Sequence, residues 1–186
     1  MKWMIASDIH GSEFYCKQLL EAYEREKAGR LLLLGDILYH GPRNDLPTGY
    51  APKKVIEMLN VHRADIICVR GNCDSEVDQM VLEFPILADY CIVTEGELLI
   101  YATHGHLYNE QNLPPLQKGD ILLHGHTHIP CCTEHDSYIY MNPGSVSIPK
   151  EDSWYGYMIL EKEIFVWKDL EGREQMRYPK RKQENI

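Results

Sequence analysis

Five short apolar runs in this 186-residue chain each stop at a cluster of glycine with carboxylate, amide or imidazole side chains. Trp3-Met4-Ile5-Ala6-Ser7 leads to Asp8-Ile9-His10, and Leu31-Leu32-Leu33-Leu34 leads to Gly35-Asp36. Ile66-Ile67-Cys68-Val69-Arg70 leads to Gly71-Asn72-Cys73-Asp74. Leu98 to Thr103 leads to His104-Gly105-His106, and Ile121-Leu122-Leu123 leads to His124-Gly125-His126-Thr127-His128. Short apolar runs bounded by turn residues read as buried strands. Open α/β folds place their ligands at the carboxyl ends of such strands. Asp8 and His10, two residues apart where the first strand ends, read as the opening pair of a metal site. The glycines let the backbone turn closely around whatever is bound.

Between the first runs the spacing is helical. Ser12 is an N-cap with Glu13 in the first turn; Cys16, Leu19, Leu20 and Tyr23 form one face, and Gly29 ends the helix. Pro52 opens a second helix with Val55, Met58 and Leu59 inward and His62 at its end. The connection from Ile37 to Pro52 is rich in Gly and Pro and long enough to suggest function. His40 and Arg43 are its candidate contacts. Strand, helix, strand, helix, strand predicts a right-handed parallel half over the first seventy residues.

From Cys91 onward the pattern is mainly β. A hairpin spans Cys91 to Thr103, and strands follow near Asp120 to Leu123, Tyr138 to Met141, Tyr155 to Leu160 and Ile164 to Lys168. Asn142-Pro143-Gly144-Ser145 is a turn placed at the edge of the site. The expected architecture is two sheets packed face to face with helices outside. One domain covers residues 1–176, and 177–186 is expected to be a flexible tail.

Hydrophobic residues make up 44% of the chain and charged residues 25%, and no apolar run is long enough to cross a bilayer. With no signal-peptide pattern at the N-terminus, a cytoplasmic protein is expected. The net charge of -9 argues against broad nucleic-acid binding. A small phosphate ester stays open, because a bound metal reverses local charge. The six cysteines lack zinc-ribbon spacing and read as small buried hydrophobes, Cys73 excepted.

Taken in order, these motifs resemble the calcineurin-like metallophosphoesterases, whose pattern runs D-x-H, G-D, G-N-[H/C]-[D/E], H and G-H-x-H. It is matched by Asp8/His10, Gly35/Asp36, Gly71/Asn72/Cys73/Asp74, His104 and Gly125/His126/His128. Size, the G-N-C-D form and the N-P-G-S turn make the chain most similar to the YfcE-type small phosphodiesterases. The resemblance implies an α/β fold, a four-layer αββα sandwich, with two divalent metals at the strand ends. Asp8, His10, Asp36 and His128 would hold the first, and Asp36, Asn72, His104 and His126 the second. Imidazole and oxygen ligands favour manganese, with zinc, nickel or iron as alternatives. A hydroxide between the metals would attack a small phosphodiester in line. Asn72, Cys73, Asp74 and His104 are the expected catalytic positions, with Asn72, Cys73 and His106 touching substrate. His124 flanks a ligand. A homo-oligomer, dimer or tetramer, is implied as well.

Many relatives carry histidine where this chain has Cys73, and that histidine protonates the leaving group. Cysteine is a poorer proton donor, so diesters with good leaving groups are the expected substrates. Phosphoprotein phosphatases carry arginines after the Gly-Asp and Gly-Asn motifs; here Asp36 is followed by Ile37-Leu38 and Asp74 by Ser75-Glu76. The alternatives are a phosphomonoesterase, or a catalytically silent metal-binding scaffold similar to the retromer subunit. Completeness of the ligand set favours an enzyme.

Overall fold

The structure, a computed structural model, describes residues 1–179. Its elements in order are β1 (Trp3–Ala6), α1 (Glu13–Glu26), β2 (Arg30–Leu33), α2 (Pro52–Val61), β3 (Ile66–Cys68), α3 (Glu76–Gln79) and β4 (Tyr90–Glu95). There follow β5 (Leu98–Thr103), β6 (Asp120–Leu123), β7 (Cys131–Glu134), β8 (Tyr138–Asn142), β9 (Gly156–Glu161), β10 (Ile164–Asp169) and β11 (Glu174–Pro179). They form two mixed sheets, ordered β11-β10-β9-β1-β2-β3 and β4-β5-β6-β8-β7.

Helix α1 starts as its sequence dictates: the Ser12 side chain accepts the Tyr15 N–H at 3.2 Å. It stops earlier than expected. Lys27, not Gly29, takes the left-handed conformation at φ 53° and returns its N–H to Glu24, while the Gly29 N–H joins Lys2 at 2.9 Å. Pro52 opens α2 and His62 ends it.

Alternation along the strands sorts the core into layers. Met4, Ala6, Leu31, Leu33, Tyr157 and Ile159 point to one face of the first sheet and meet Leu19, Leu20, Val55 and Leu59 of α1 and α2. Ile5, Leu32, Leu160, Phe165 and Trp167 point the other way, against Val93, Ile100 and Leu123 of the second sheet. Burying each such side chain contributes roughly 1.5–3 kcal/mol. On the outer face of the second sheet, Tyr101, Leu122, Tyr138 and Tyr140 pack with Tyr108 and Leu116. That fourth layer is therefore the loop of residues 104–119, not a helix. Pro114, Pro115 and the asparagines there leave no helical period.

Two strands were not expected, β7 and β11. Of the tail foreseen over 177–186, Arg177–Pro179 belong to β11; residues 180–186 lie outside the described residues. No helix among the described residues is long and apolar enough to cross a membrane.

Register brings the site together. Ala6 pairs with Leu33 and Leu33 with Cys68, so the three parallel strands finish level. In the second sheet Ala102 pairs with Leu123 and Leu123 with Met141. The loops bearing Asp8, Asp36, Asn72, His104 and His126 leave from these ends.

Candidate metal centre

Past the end of the first sheet the β1 and β2 loops remain zipped. The N–H groups of Asp8, His10 and Gly11 donate to the carbonyls of Gly35, Asp36 and Ile37 at 3.1, 2.9 and 2.8 Å. Such close loops exclude side chains: a Cβ on Gly35 would lie 2.4 Å from the Gly71 nitrogen, and one on Gly125 1.9 Å from Ser7 Oγ. Asp8, His10, Asp36, His126 and His128 all adopt positive φ, between 50° and 66°. Backbone strain of this kind costs of order 1–3 kcal/mol per residue and persists only where surroundings impose it.

The imposing contacts at Asp8 come from far along the chain. Its carbonyl accepts hydrogen bonds from Ser145 Oγ at 2.9 Å and Ser147 Oγ at 3.0 Å. Asn142 fixes the neighbouring His126 turn, donating to the Gly125 carbonyl at 2.8 Å and Thr127 Oγ1 at 3.0 Å. Its backbone carbonyl holds the buried Trp167 indole N–H at 2.7 Å. The N-P-G-S motif thus stands at the site edge as expected. The roles of Ser145, Ser147 and Asn142 were not foreseen, and the turn motif was their one signal.

Three histidines are oriented alike. His10, His104 and His128 each place Nδ1 2.7 Å from a backbone carbonyl, of Tyr39, Leu34 and Ile148 respectively. A carbonyl only accepts, so Nδ1 carries a proton in each ring and Nε2 is the atom turned inward. There His10 Nε2 meets His128 Nε2 at 3.3 Å. His104 Nε2 meets Asn72 Oδ1 at 3.0 Å and His126 Nδ1 at 3.1 Å. Nitrogen and oxygen atoms able to bind a cation thus converge in both places.

Carboxylates complete the two clusters. Asp8 Oδ1 is buried without a hydrogen-bond donor, 3.2 Å from His128 Nε2 and 3.4 Å from His10 Nε2. Asp36 Oδ2 lies between the clusters, 3.7 Å from His10 Nε2 and 3.5 Å from His104 Nε2. Burial alone would raise the Asp8 carboxyl, but the rings of His10 and His128 hold it well below the usual carboxylate range. Burial, then His104, pushes His126 down to about 4, leaving its ring neutral at pH 7. Imidazole nitrogens converging on buried carboxylate oxygens fit divalent cations. Asp8, His10 and His128 group within 4.8 Å, as do Asp8, Asp36 and His104.

The other expected positions separate. Asp74 does not face the bay: Oδ2 accepts the N–H of Asp36 at 2.8 Å and of Gly71 at 2.7 Å, and Oδ1 that of Ile37 at 2.9 Å. It is a positioning residue for the loop. Cys73 N–H holds Asp36 Oδ1 at 2.8 Å. Its sulfur groups with His10 and Asp36 within 4.8 Å, a proximity the sequence reading missed although the G-N-C-D motif contained it. Burial, then the Asp36 charge, raises the thiol, so it stays protonated. The His106 ring, half-buried, lies 5.4 Å from that of His104. His124 is buried and stacks on Tyr140 at 4.5 Å, away from the clusters.

A cleft of about 410 Å³ opens over the bay, bounded by Asp36, Asn72, Cys73, His126 and His128, with Arg43 and Lys150 on its wall. Arg43 is thereby placed at the site; His40 is not, being held between Tyr39 and Tyr50.

Two facing mixed sheets that gather imidazoles and carboxylates at their strand ends define the metallophosphoesterase class. The comparisons give the family. Residues 1–163 match the calcineurin-like phosphoesterase superfamily domain, and the chain belongs to that superfamily. It is 49% identical over 164 residues to phosphodiesterase YfcE of Escherichia coli K12, covering 88% of this chain and 89% of that protein. The solved structure of YfcE, described as a phosphoesterase from E. coli, superposes with TM-score 0.94 at 44% identity over 97% of this chain and all of that one. Chaetomium thermophilum Vps29 shares the fold, with TM-score 0.61 at 18% identity over 97% of this chain and all of that one. The chain is a phosphoesterase, hence a hydrolase.

Proposed function

We propose that this chain hydrolyses small phosphodiesters with two divalent metals, manganese first and zinc, nickel or iron as alternatives. The observation that carries the reading is the convergence of potential ligand atoms, His10 and His128 Nε2 at 3.3 Å and His104 Nε2 and Asn72 Oδ1 at 3.0 Å, with Asp36 Oδ2 between the two clusters. Asp8, His10, Asp36 and His128 are assigned to one metal, and Asp36, Asn72, His104 and His126 to the other. When bound, the two metals supply an activated water and positive charge for the phosphoryl oxygens. The chain's own contribution is orientation. Backbone carbonyls fix three imidazoles, Cys73 N–H fixes Asp36, and Asp74 fixes the loop beneath it. Asn72, exposed at the cleft, and His106, whose ring lies 5.4 Å from that of His104, are assigned to the phosphoryl group. The relative named a phosphodiesterase, 49% identical, supports the same chemistry. A cytoplasmic dimer or tetramer completes the proposal. Exposed Tyr90 and Ile92 on the edge strand β4 support self-association.

The test is hydrolysis of bis(p-nitrophenyl) phosphate by metal-stripped protein with manganese restored. Turnover should return with about two metal equivalents and fall at least about 100-fold in Asn72→Ala. Bound metal without turnover would favour the silent scaffold. Absence of bound metal would overturn the site.

Cys73 sets the substrate range. With its thiol protonated and its acidity weakened, no good proton donor stands at that place. Cys73→His should raise turnover of phenyl phosphate, a poor-leaving-group monoester, by about 100-fold, the lower range of general acid catalysis. An unchanged rate would show that protonation is not what limits monoesters.

A further inference from the structure

A second cleft, of about 490 Å³, shares Cys73 with the first. Its lining is more apolar. Tyr39, Tyr50, Pro52, Ile56, Val77 and Val81 line it, with Lys53 and Asp78 also on its wall, whereas Arg43 and Lys150 stand among the imidazoles and carboxylate of the bay's own cleft. Tyr39, Val77 and Val81 are 43%, 68% and 44% exposed. A grouped set of exposed apolar side chains beside a reaction centre marks a binding surface.

The wall of this cleft is tied to the bay. The Tyr39 carbonyl accepts the Nδ1–H of His10 at 2.7 Å, one hydrogen bond from the metal-facing nitrogen. The His40 ring sits edge-on to Tyr39 at 4.8 Å and to Tyr50 at 5.2 Å, fixing both rings. At the junction, the Cys73 N–H holds Asp36 while its sulfur lies near Gly41, where an added Cβ would be 3.1 Å away. A group entering the apolar cleft from the bay therefore passes directly over Cys73.

We propose that this cleft receives one ester arm of the substrate and that the arm is aromatic. The substrate is then an unsymmetrical phosphodiester, its phosphoryl group at the bay, its aromatic arm among Tyr39, Tyr50, Ile56, Val77 and Val81, and its polar side toward Arg43 and Lys150. The inference rests on the phosphodiesterase reading above and specifies its substrate class.

Phenyl phosphate and methyl phosphate, tested as competitive inhibitors of bis(p-nitrophenyl) phosphate hydrolysis by the manganese-loaded protein, separate the possibilities. Phenyl phosphate should inhibit about tenfold more tightly, the factor given by burying a modest apolar area. Val81→Trp, which fills the cleft, and Val77→Asp, which charges its wall, should each bring that ratio close to one. Both positions are exposed and away from the bay, so inhibition by methyl phosphate should not change. Equal inhibition by the two esters, or a tenfold preference untouched by either substitution, would overturn the aromatic-arm assignment while continuing turnover left the phosphodiesterase reading intact. Failure of the loaded wild-type protein to turn over substrate would overturn that reading and this one with it.

Discussion

Asp36→Asn protein should hydrolyse bis(p-nitrophenyl) phosphate on the order of 1,000-fold more slowly than the parent. Removing the carboxylate that faces both clusters forfeits several kcal/mol of charge stabilisation, at 1.36 kcal/mol per decade of rate. The substitution is nearly isosteric. The new amide keeps an oxygen for the Cys73 N–H, which Asp36 Oδ1 now accepts at 2.8 Å. In place of Oδ2 it then presents an N–H to the cluster nitrogens, and the negative charge between the two clusters is gone. Metal content should drop below two equivalents while the melting temperature of the stripped protein barely moves. Retention of parental turnover with two metals would remove Asp36 from the bridging position.

Asp74→Ala should behave in the opposite way, lowering the melting temperature of the metal-stripped protein by about 10 °C. Three backbone N–H groups at 2.7, 2.8 and 2.9 Å lose their shared acceptor in a buried place. Each unpaired donor costs about 1–3 kcal/mol, and in a chain of this size 1 kcal/mol corresponds to roughly 2–4 °C. Thermal unfolding followed by circular dichroism checks it. A shift under about 2 °C would mean that the three donors find other partners and that Asp74 does not organise the loop.

These two carboxylates mark how far the chain can be read without coordinates. The five strands that end in polar clusters were legible because apolar runs stop abruptly at glycine and a hard ligand, and parallel register then aligns their ends. Ser12 and Pro52 announced their helices through local hydrogen bonding and a fixed φ. Strand β7 escaped because Cys131–Glu134 is half-buried to exposed, with no hydrophobic alternation. Strand β11 is an edge element whose core-facing side chains, Met176 and Tyr178, stand among charged and polar residues, too short an alternation to read.

At the site, the family motif named which residues gather, set Asp36 in both ligand sets and suggested that Asp74 orients a neighbour. Only the fold shows that Asp74 does so through the backbone N–H groups of Asp36, Ile37 and Gly71. Ser145 and Ser147 act on a residue 137 and 139 positions away. No local pattern encodes a partner at that distance.

The left-handed backbone at Asp8, His10, Asp36, His126 and His128 has an evolutionary reach. At each of these places glycine would relieve the conformational penalty that the functional side chain sustains, by about 1 kcal/mol. Chemistry and folding therefore pull against each other at the same positions. A descendant with glycine at these positions would gain backbone stability while keeping the sandwich, so the fold is well suited to be kept for its shape alone.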